Sequence, residues 1–449
     1  MPEPETEQVV VEKWGDLSII DSVTQEEYLN ITGPIGGGSY AKIYHALRKS
    51  KSTSGKLKEK AVRLVVTQDE STFNREKNPS EVFKRLKKEF NELRYTKFMS
   101  TFWNEDDDTW ALKPDYYKYL SIPKLRHQFE FYKKSEWEAN GKKFVGLKPI
   151  GYMLVFDYDF EDGDILTKIK EITENRSDHF TKPDDEKKVF DAHQFIKNYA
   201  GSILNAIAKL HSFKKIHNDI KPGNILCSQN KSTGEFTFKL TDYGLMCEQR
   251  TFKTYCEGEI RKIYDDLSLL NKYNKKAFEE KAKELTKRIQ TSFNEFTRRC
   301  SQDTRYMSPE KSETYTLLVN FKKDVESQFG ELKKGRVNFW LDWLGRKYFP
   351  EYNNIVDHIN HISYPTDIYS FGQTLQVISS FIINFEPQKQ ISVADMNKAA
   401  ITNAPSTFFS PRSGNKEDQL LKKFINYLTD TNPDKRPTAV QALKDDYLK

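Results

Sequence analysis

A glycine cluster near the start of the chain has the residue types that could bind a phosphate group. The stretch "IGGGSYAKI" places Gly36 and Gly38 between two runs that read as strands. Glycine lets the backbone come close to a phosphate and present its N–H groups to it. The same glycines could form an ordinary hairpin turn, so the cluster alone leaves both interpretations open.

A charged residue interrupts the next predicted strand. Residues 60–66, "KAVRLVV", are apolar enough for a buried strand, yet Arg63 stands in the middle. Because side chains alternate along a strand, Ala61 and Arg63 share one face and Lys60 lies on the other. A buried cation is costly unless it is paired. Why a guanidinium stands in this strand depends on what the rest of the chain builds around it.

Five polar stretches follow in the rest of the chain, on predicted loops and element ends. They are "IHNDIKPGNIL" (216–226), "LTDYGL" (240–245), "RYMSPE" (305–310), "DIYSFG" (367–372) and "NPDKRPT" (432–438). The first follows a long amphipathic helix, and a hairpin turn, "QNKSTGEF", leads to the second. Any one of them could occur by chance, but all of them in this order would not.

Together with the glycine cluster and the strand cation, these stretches resemble the signature set of the protein kinases. The resemblance covers roughly residues 28 to 449. It implies an α+β, bilobal protein kinase fold: a small antiparallel-sheet N-lobe with one main helix, and a large, mainly helical C-lobe. It also implies ATP-dependent phosphoryl transfer to a serine or threonine of a protein substrate, with ATP and Mg²⁺ as cofactors.

The resemblance assigns four residues to the chemistry. Asp219 would accept the proton of the substrate hydroxyl, and Lys221 would steady the transferring phosphoryl group. Asn224 and Asp242 would hold Mg²⁺, which prefers hard oxygen ligands. A lysine two residues after the catalytic aspartate is typical of the serine/threonine kinases.

A second set of residues is implied to bind the nucleotide. Glu92, preferred to Glu89 on the same predicted helix, would pair with Arg63. Phe156 would guard the back of the pocket, and residues 157–159 would offer backbone groups to adenine. The full set is Ile35, Gly36, Gly38, Ser39, Ile43, Ala61, Arg63, Glu92, Phe156, Asp157, Tyr158, Asp159 and Leu226.

Three further residues are implied to be scaffold. Glu310 would pair with Arg436 to lock the helical lobe, and Asp367 would brace the backbone of the catalytic loop. The stretches "DIKPGN", "DYGL", "ELRY" and "SIPKL" are most similar to those of the casein kinase one and vaccinia-related kinases.

The phosphate-binding side departs from the kinase pattern. Arg63 stands where kinases have the strand lysine, and its planar, forked head need not reach the same place. Lys42 could replace that lysine, as a relocated lysine does in the with-no-lysine kinases, although their substitute falls at the third loop glycine, which here is Ala41. Arg63 could also merely pair with the helix glutamate.

The predicted catalytic loop and substrate-binding loop also depart from the kinase pattern. Asn218 replaces the arginine that normally reads an activation-loop phosphate, which suggests another means of control. Asp303 stands three residues before Tyr306, where a threonine is expected. These departures keep a second hypothesis open: a pseudokinase scaffold that acts as a structural or regulatory subunit of a larger assembly.

The predicted organisation is one kinase domain with additions. It comprises a polar extension (1–27), the N-lobe (28–158), the C-lobe (159–449) and insertions at about 250–302 and 311–360. Within the first insertion, an apolar stripe over 278–296 predicts an amphipathic helix. We expect it to pack on the kinase body rather than to dock a partner. The aromatic residues of the second insertion suit core packing or a binding surface: Trp340, Trp343, Tyr348 and Phe349.

Two helices are predicted from spacing. One runs over 80–100 with Ser80 as its cap. The other runs over 191–213, and seven apolar residues form its buried face: Phe195, Ile196, Tyr199, Ile203, Leu204, Ile207 and Leu210.

Composition narrows the class of protein. The formal net charge of +6 over 449 residues is too small to indicate a nucleic-acid-binding role. No secretory signal or spanning helix is evident. The four cysteines lack metal-ligand spacing and suit a reducing compartment. We expect a cytoplasmic protein, and association with the cytoskeleton or with a complex is an open alternative. Its partner would be a protein substrate or complex partner, and its oligomeric state is open.

Overall fold

The structure is a computed structural model, and it divides into two compact units between Asp162 and Gly163. It describes residues 28–37, 41–49, 57–67, 70, 72–82, 84, 119–121, 124–139, 142–159, 163–174, 191–230, 233–248, 258–259, 262, 265–266, 269, 275–300, 302–329, 354, 358, 362–383, 411–412 and 414–449. The predicted lobe boundary at 158/159 lies close to this division, while the extension 1–27 and the four aromatics of the second insertion lie outside the described residues.

The first unit contains a five-stranded antiparallel sheet in the order β1-β2-β3-β5-β4. A helical stretch, α1, follows β3 at residues 72–82. The strands are β1 (Tyr28–Gly37), β2 (Ala41–Lys49), β3 (Leu57–Thr67), β4 (Lys124–Ala139) and β5 (Lys142–Asp159).

The alternation predicted for β3 is confirmed. Val62 and Leu64 are buried, whereas Ala61 and Arg63 on the other face are only half-buried. Tyr44 of β2 lies opposite Val62 and is buried as well. The face of Val62 and Leu64 therefore contributes to the core, while the other face presents Arg63 and is buried at Val65.

The first predicted helix begins earlier than its pattern suggested. Ser80 lies inside α1, so the prediction that Ser80 caps a helix over 80–100 is wrong. Phe73, Glu76 and Ser80, which are spaced three and four residues apart, are buried and mark the face that packs inward. The start was missed because residues 70–79, "ESTFNREKNP", are mostly polar and show no apolar stripe.

The second unit combines a three-stranded antiparallel sheet, in the order β6-β7-β8, with helices. Its strands are β6 (Gly163–Asp164), β7 (Ile225–Gln229) and β8 (Phe236–Leu240). Its helices are α2 (Ile165–Glu174), α3 (Ala192–Ser212), α4 (Lys275–Cys300), α5 (Pro309–Phe329), α6 (Tyr364–Ile383), α7 (Lys416–Leu428) and α8 (Ala439–Ala442), with 3₁₀ turns at Pro222–Asn224, Pro433–Lys435 and Asp446–Leu448.

Helix α3 is the centre of this unit. All seven residues of its predicted apolar face are buried. Asp191 caps it, since its carboxylate accepts a hydrogen bond of 3.0 Å from the Gln194 N–H. The helix packs against β8 and α6 and ends just before the predicted catalytic loop.

The amphipathic helix predicted in the first insertion is confirmed as α4. It packs against α5, the helix that contains Glu310, and Leu285 is among its buried residues. The guanidinium of Arg288 is bonded to the preceding stretch, through Asp266 at 2.6 Å and Glu259 at 3.4 Å. The insertion thus packs on a helix of the same unit.

No helix within the described part of the chain is both long and apolar enough to cross a membrane.

A close helix contact depends on Gly372 of α6. A Cβ atom there would lie 2.6 Å from the Thr429 side chain and 2.8 Å from the Leu428 Cβ. Both atoms belong to the end of α7 and its cap, so a methyl group would push two packed helices apart.

We expect Gly372→Ala to lower the free energy of unfolding by about 1–3 kcal/mol because of this overlap. Urea unfolding would measure it. Gly201→Ala on α3 is the matched control, since nothing lies within 4 Å of its added Cβ. That change should be neutral or stabilising, because alanine favours a helix over glycine. Equal effects from the two variants would contradict this account of the contact.

A buried carboxylate ties α3 to α7 and the C-terminal turn. Asp418 accepts from His193 Nε2 at 2.8 Å and from Arg412 Nε and Nη2 at 2.8 and 2.9 Å. Burial by itself raises the pKa of Asp418, but Arg412 and His193 together hold that pKa down at about 2. The other ring nitrogen of His193 lies 3.2 Å from the Tyr447 hydroxyl.

Stability should therefore fall in acid. The lowered pKa of Asp418 contributes about 2 kcal/mol, present above its ordinary pKa of 3.8 and lost as the pH falls towards 2. The unfolding free energy measured between pH 6 and 2 should be flatter in Asp418→Asn. Glu417→Gln, at the exposed neighbouring position, should run parallel to the wild type. A wild-type slope retained in Asp418→Asn would refute the assignment.

Candidate active site

In the first unit, the cation of β3 is paired with a glutamate of α1. Arg63 Nη1 donates to Glu76 Oε2 at 2.7 Å, and the Glu76 side chain is only 5% exposed. Arg75 Nη2 reaches the other carboxylate oxygen at 3.4 Å. Buried ion pairs of this kind hold a strand and a helix in a fixed relation.

Glu76 is a partner of Arg63 that was not predicted, and the pairing of Glu92 with Arg63 stays a prediction. Glu92 and Glu89 lie outside the described residues, and the glutamate that contacts Arg63 comes from the polar start of α1. Sequence reasoning missed it because the helix was started at Ser80. The signal that could have found it is the position of Glu76 in the first polar stretch after β3.

The strand register brings four of the predicted nucleotide-binding residues into one row. Gly36 of β1 lies opposite Ile43 of β2, Ile43 opposite Arg63, and Arg63 opposite Phe156 of β5. Directly opposite residues of antiparallel strands are near neighbours. Lys42, in contrast, lies opposite Leu64, one position away from the row.

The other predicted nucleotide-binding residues lie in strands of the two units or outside the described residues. Ile35 is in β1, Leu226 is half-buried in β7, and Ala61 lies opposite Tyr158. Asp157 and Asp159 lie opposite Val62 and Lys60 along the same ladder of β3 and β5. Gly38 and Ser39 lie outside the described residues, so their role stays a prediction.

We expect Glu76→Gln to lower the unfolding free energy by about 1–3 kcal/mol, because a bond between charged groups at a buried site is weakened. Denaturant unfolding would measure this. Glu81→Gln on the same helix is the control: Glu81 is 57% exposed and pairs only with Lys77 one turn away, at 3.1 Å. Its loss should cost at most about 0.5 kcal/mol. A Glu76 variant as stable as the control would show that the pair is not structural.

In the second unit, three predicted catalytic residues come together in one short loop. The carboxylate of Asp219 accepts at Oδ2 from Lys221 Nζ at 2.8 Å and from Asn224 Nδ2 at 2.9 Å. Asn224 Nδ2 also donates to the Asp219 carbonyl at 2.7 Å. The other carboxylate oxygen, Oδ1, is buried and has no hydrogen-bond partner among the described residues.

The histidine before this loop is fixed as a neutral side chain. His217 is fully buried, and burial lowers its pKa in spite of the nearby Asp367 and Asp219 carboxylates. Its Nε2 lies 3.0 Å from the Thr241 carbonyl, which can only accept, so that nitrogen carries the proton. Its Nδ1 then accepts from the Asp219 N–H at 3.3 Å.

A hairpin brings Asn224 and Asp242 to the same end of the sheet. The register pairs Ile225 of β7 with Leu240 of β8, and the Thr241 N–H donates to the Asn224 carbonyl at 3.0 Å. Asp242 follows immediately, in a left-handed conformation with φ of 61°. Such a conformation is unfavourable for a non-glycine residue and is often found at functional sites.

Asp367 braces the catalytic loop, as predicted. Its carboxylate, buried at the start of α6, accepts from the N–H groups of His217 and Asn218 at 2.8 and 2.9 Å. It also accepts from His211 Nε2 at 3.0 Å. Burial by itself raises the pKa of Asp367, but these donors and His217 bring the pKa below its ordinary value.

The predicted scaffold pair is confirmed. Arg436 donates from Nη1 and Nη2 to the two carboxylate oxygens of Glu310 at 2.7 and 2.9 Å. Both side chains are buried, and the bidentate geometry is the strongest that an arginine and a carboxylate can form.

The segment before Glu310 carries an unusual ion pair. Asp303, where a threonine was expected, accepts from Arg305 Nε at 2.7 Å and also from Arg305 Nη2. Burial raises the pKa of Asp303, but Arg305 and the more distant Lys221 together lower it. A negative charge thus lies near the lysine of the catalytic loop.

The oxygen atoms at the hairpin end fit Mg²⁺ bound together with phosphate. The amide nitrogen of Asn224 faces Asp219, and its Oδ1 accepts no hydrogen bond from the described residues. Asp242 is exposed and accepts only a long bond of 3.4 Å from the Gly244 N–H. No cluster of three or more metal-binding side chains occurs among the described residues. Mg²⁺ commonly takes only one or two protein ligands beside phosphates and water.

Comparisons with known proteins point to one family. Residues 155–265 match the family model of the protein kinase domain. Over 68 residues the chain is 34% identical to the serine/threonine-protein kinase ksp1 of Schizosaccharomyces pombe, a match of 15% of this chain and 14% of that protein. The chain thus spans only a small part of that relative.

A solved kinase domain aligns over 95% of this chain and 96% of its own, with 12% identity and a TM-score of 0.39, too low to establish a common fold. The matched residues 155–265 include the loop of Asp219 and the β7–β8 hairpin, within the α+β arrangement described above. Over residues 155–265, the chain is therefore similar to the protein kinase domain.

Proposed function

We propose that the chain is a serine/threonine protein kinase. It transfers the γ-phosphoryl group of ATP to a side-chain hydroxyl of a protein substrate. The bond between the γ-phosphorus and the β,γ-bridging oxygen breaks, and a bond from the serine or threonine oxygen to that phosphorus forms. The hydroxyl proton passes to Asp219, and ADP leaves with the bridging oxygen.

The observation that carries this proposal is the asymmetric environment of Asp219. Oδ2 is held by Lys221 and Asn224, while Oδ1 is buried without a hydrogen-bond partner among the described residues. An unsatisfied buried carboxylate oxygen is costly, and in native proteins it often marks a functional group. A substrate hydroxyl that donates to Oδ1 would satisfy it and would be placed for proton transfer.

The other residues support charge neutralisation and positioning. Lys221 carries a cation next to Asp219, where negative charge on the phosphoryl group must be balanced. Asn224 and Asp242 would hold Mg²⁺, which when bound neutralises the phosphate oxygens. In the first unit, the row Gly36–Ile43–Arg63–Phe156 supports nucleotide contacts at Ile35, Gly36, Gly38, Ser39, Ile43, Ala61, Arg63, Phe156, Asp157, Tyr158 and Asp159. Contacts at Glu92 and at Leu226 of the second unit are proposed from the motifs alone.

Finer assignments remain part of the proposal. The motifs quoted above favour a place near the casein kinase one and vaccinia-related kinases, and the cytoplasm as location. Lys221 supports the serine/threonine preference, and the relative from fission yeast is a serine/threonine-protein kinase.

A second function, a pseudokinase scaffold, is favoured by one observation. Arg63 is not a lysine, and its guanidinium is bound to Glu76 at 2.7 Å. An arginine held in this way could serve the first unit as structure alone. In that case the packed insertion α4 would supply the binding surface of a larger assembly.

Transfer of labelled phosphate from ATP to a generic acceptor protein distinguishes the two functions. We expect a clear wild-type signal in the presence of Mg²⁺, and a loss of about 10²- to 10⁴-fold in Asp219→Asn, since an amide cannot act as a base. Asp434→Asn, at an exposed turn of the same unit, is the matched control and should match the wild type. Arg63→Lys should retain activity.

Two results would decide against the enzyme. One is a wild-type signal no greater than that of Asp219→Asn, and the other is activity that appears only in Arg63→Lys. Either result favours the scaffold. Thermal unfolding with and without ATP and Mg²⁺ would then show whether the scaffold still binds nucleotide.

A further inference from the structure

A fully buried lysine lies behind the catalytic loop. Lys311 directly follows Glu310 in α5, and no part of it is exposed to solvent. Its Nζ donates to the Asn218 carbonyl at 2.7 Å and to Gln302 Oε1 at 2.8 Å. Both acceptors are uncharged, and a buried ammonium without a contacting carboxylate is expensive. A charge retained at such a place calls for a specific role.

Gln302, which accepts from Lys311, also binds the backbone on the C-terminal side of Asp219. Its Nε2 donates to the Ile220 carbonyl at 3.3 Å and to Ser370 Oγ at 3.2 Å. Lys311 and Gln302 therefore bind the carbonyl groups on both sides of Asp219. They also connect the loop to α6, because Ser370 lies one turn after Asp367.

The Asn218 residue is thus held through both of its backbone polar groups. Asp367 accepts from its N–H, and Lys311 donates to its carbonyl. Asn218 also adopts a left-handed conformation, with φ of 69°, which is strained for a non-glycine residue. Such strain persists only where the surroundings impose it. The two charged side chains on either side supply that constraint.

We propose that Lys311, together with Gln302, is a positioning residue that fixes the catalytic loop around Asp219. This inference rests on the proposed kinase function and deepens it. The two residues come from the segment 302–311 that leads to α5, so the loop is held by a cation of the chain itself. Regulation would then act through whatever displaces this segment, and no added phosphate would be required to order the loop.

The charge state of Lys311 gives the proposal a measurable signature. Burial lowers the pKa of Lys311 to about 8, although Cys300, Asp219, Asp367 and Cys247 around it act in the opposite direction. The ammonium is therefore present below this pH and is lost as the pH rises through it. A neutral amine makes weaker bonds to the two acceptors than the charged group does.

The first test replaces the cation. Lys311→Met keeps most of the side-chain shape and removes the donors, and we expect kcat to fall about 10- to 100-fold because Asp219 is misplaced. The KM for ATP should stay within about threefold, since the nucleotide contacts are untouched. Lys323→Met, an exposed lysine of the same helix, is the matched control and should behave as the wild type. A wild-type kcat in Lys311→Met would overturn the proposal.

The second test does not require that Lys311→Met folds. Wild-type kcat should decline as the pH rises past about 8. Gln302→Glu places a carboxylate against Lys311 and should raise its pKa, so this decline should move to higher pH. Gln302→Glu also loses the hydrogen bond to the Ile220 carbonyl, so its kcat can differ from that of the wild type at every pH. The test therefore compares the pH at which kcat declines in each protein and not the absolute kcat values. An unmoved decline would refute a role for the Lys311 charge.

A third measurement separates this proposal from the proposed function. If the wild type transfers no phosphate, the kinase assignment fails, and amide hydrogen exchange of residues 216–224 still tests the positioning role. After correction for the intrinsic pH dependence of exchange, protection of this loop should fall above pH about 8. Protection should persist to higher pH in Gln302→Glu. Identical profiles for the two proteins would reject Lys311 as the positioning group.

Discussion

The contact on which the site depends is the bond between the buried carboxylate of Asp367 and two consecutive backbone N–H groups, those of His217 and Asn218. A loop that must place a carboxylate accurately cannot rely on its own short sequence, because its backbone groups would otherwise bond to water. The carboxylate at the start of α6 removes that freedom. Asp219, Lys221 and Asn224 can then form a fixed cluster, and His217 is kept neutral beneath them.

The two units stabilise a buried cation in different ways. In the first unit, Arg63 is matched by the carboxylate of Glu76, so the cation of β3 is neutralised at short range. In the second unit, Lys311 has uncharged acceptors, and the carboxylates that favour its charge, Asp219 and Asp367, are more distant. The first arrangement fixes a helix against a sheet, and the second fixes a loop against two helices. Each makes local geometry depend on residues that are far away in the sequence.

The long segment between the β7–β8 hairpin and Glu310 contains the predicted first insertion. Within its described part, α4 packs on α5, Leu285 of α4 is buried, and Arg288 bonds α4 to Glu259 and Asp266 of the preceding stretch. The end of this segment, residues 302–311, supplies Gln302, Asp303 and Lys311 to the neighbourhood of the catalytic loop. A movement of α4 would therefore be passed to the predicted catalytic loop in two ways: through its packing on α5, and through residues 302–311, which follow α4 in the chain.

The sequence by itself determined the elements whose patterns are local: the alternation of β3, the apolar face of α3, the β7–β8 hairpin and the amphipathic α4. The resemblance of the stretch "IHNDIKPGNIL" to the kinase catalytic loop also indicated the cluster of Asp219, Lys221 and Asn224. Only the tertiary structure revealed the contact between Glu76 and Arg63, since the polar start of α1 has no apolar stripe to indicate it. It also decided the burial of Lys311, because a lysine in a polar helical stretch gives no sign of burial, which is a property of packing and not of pattern.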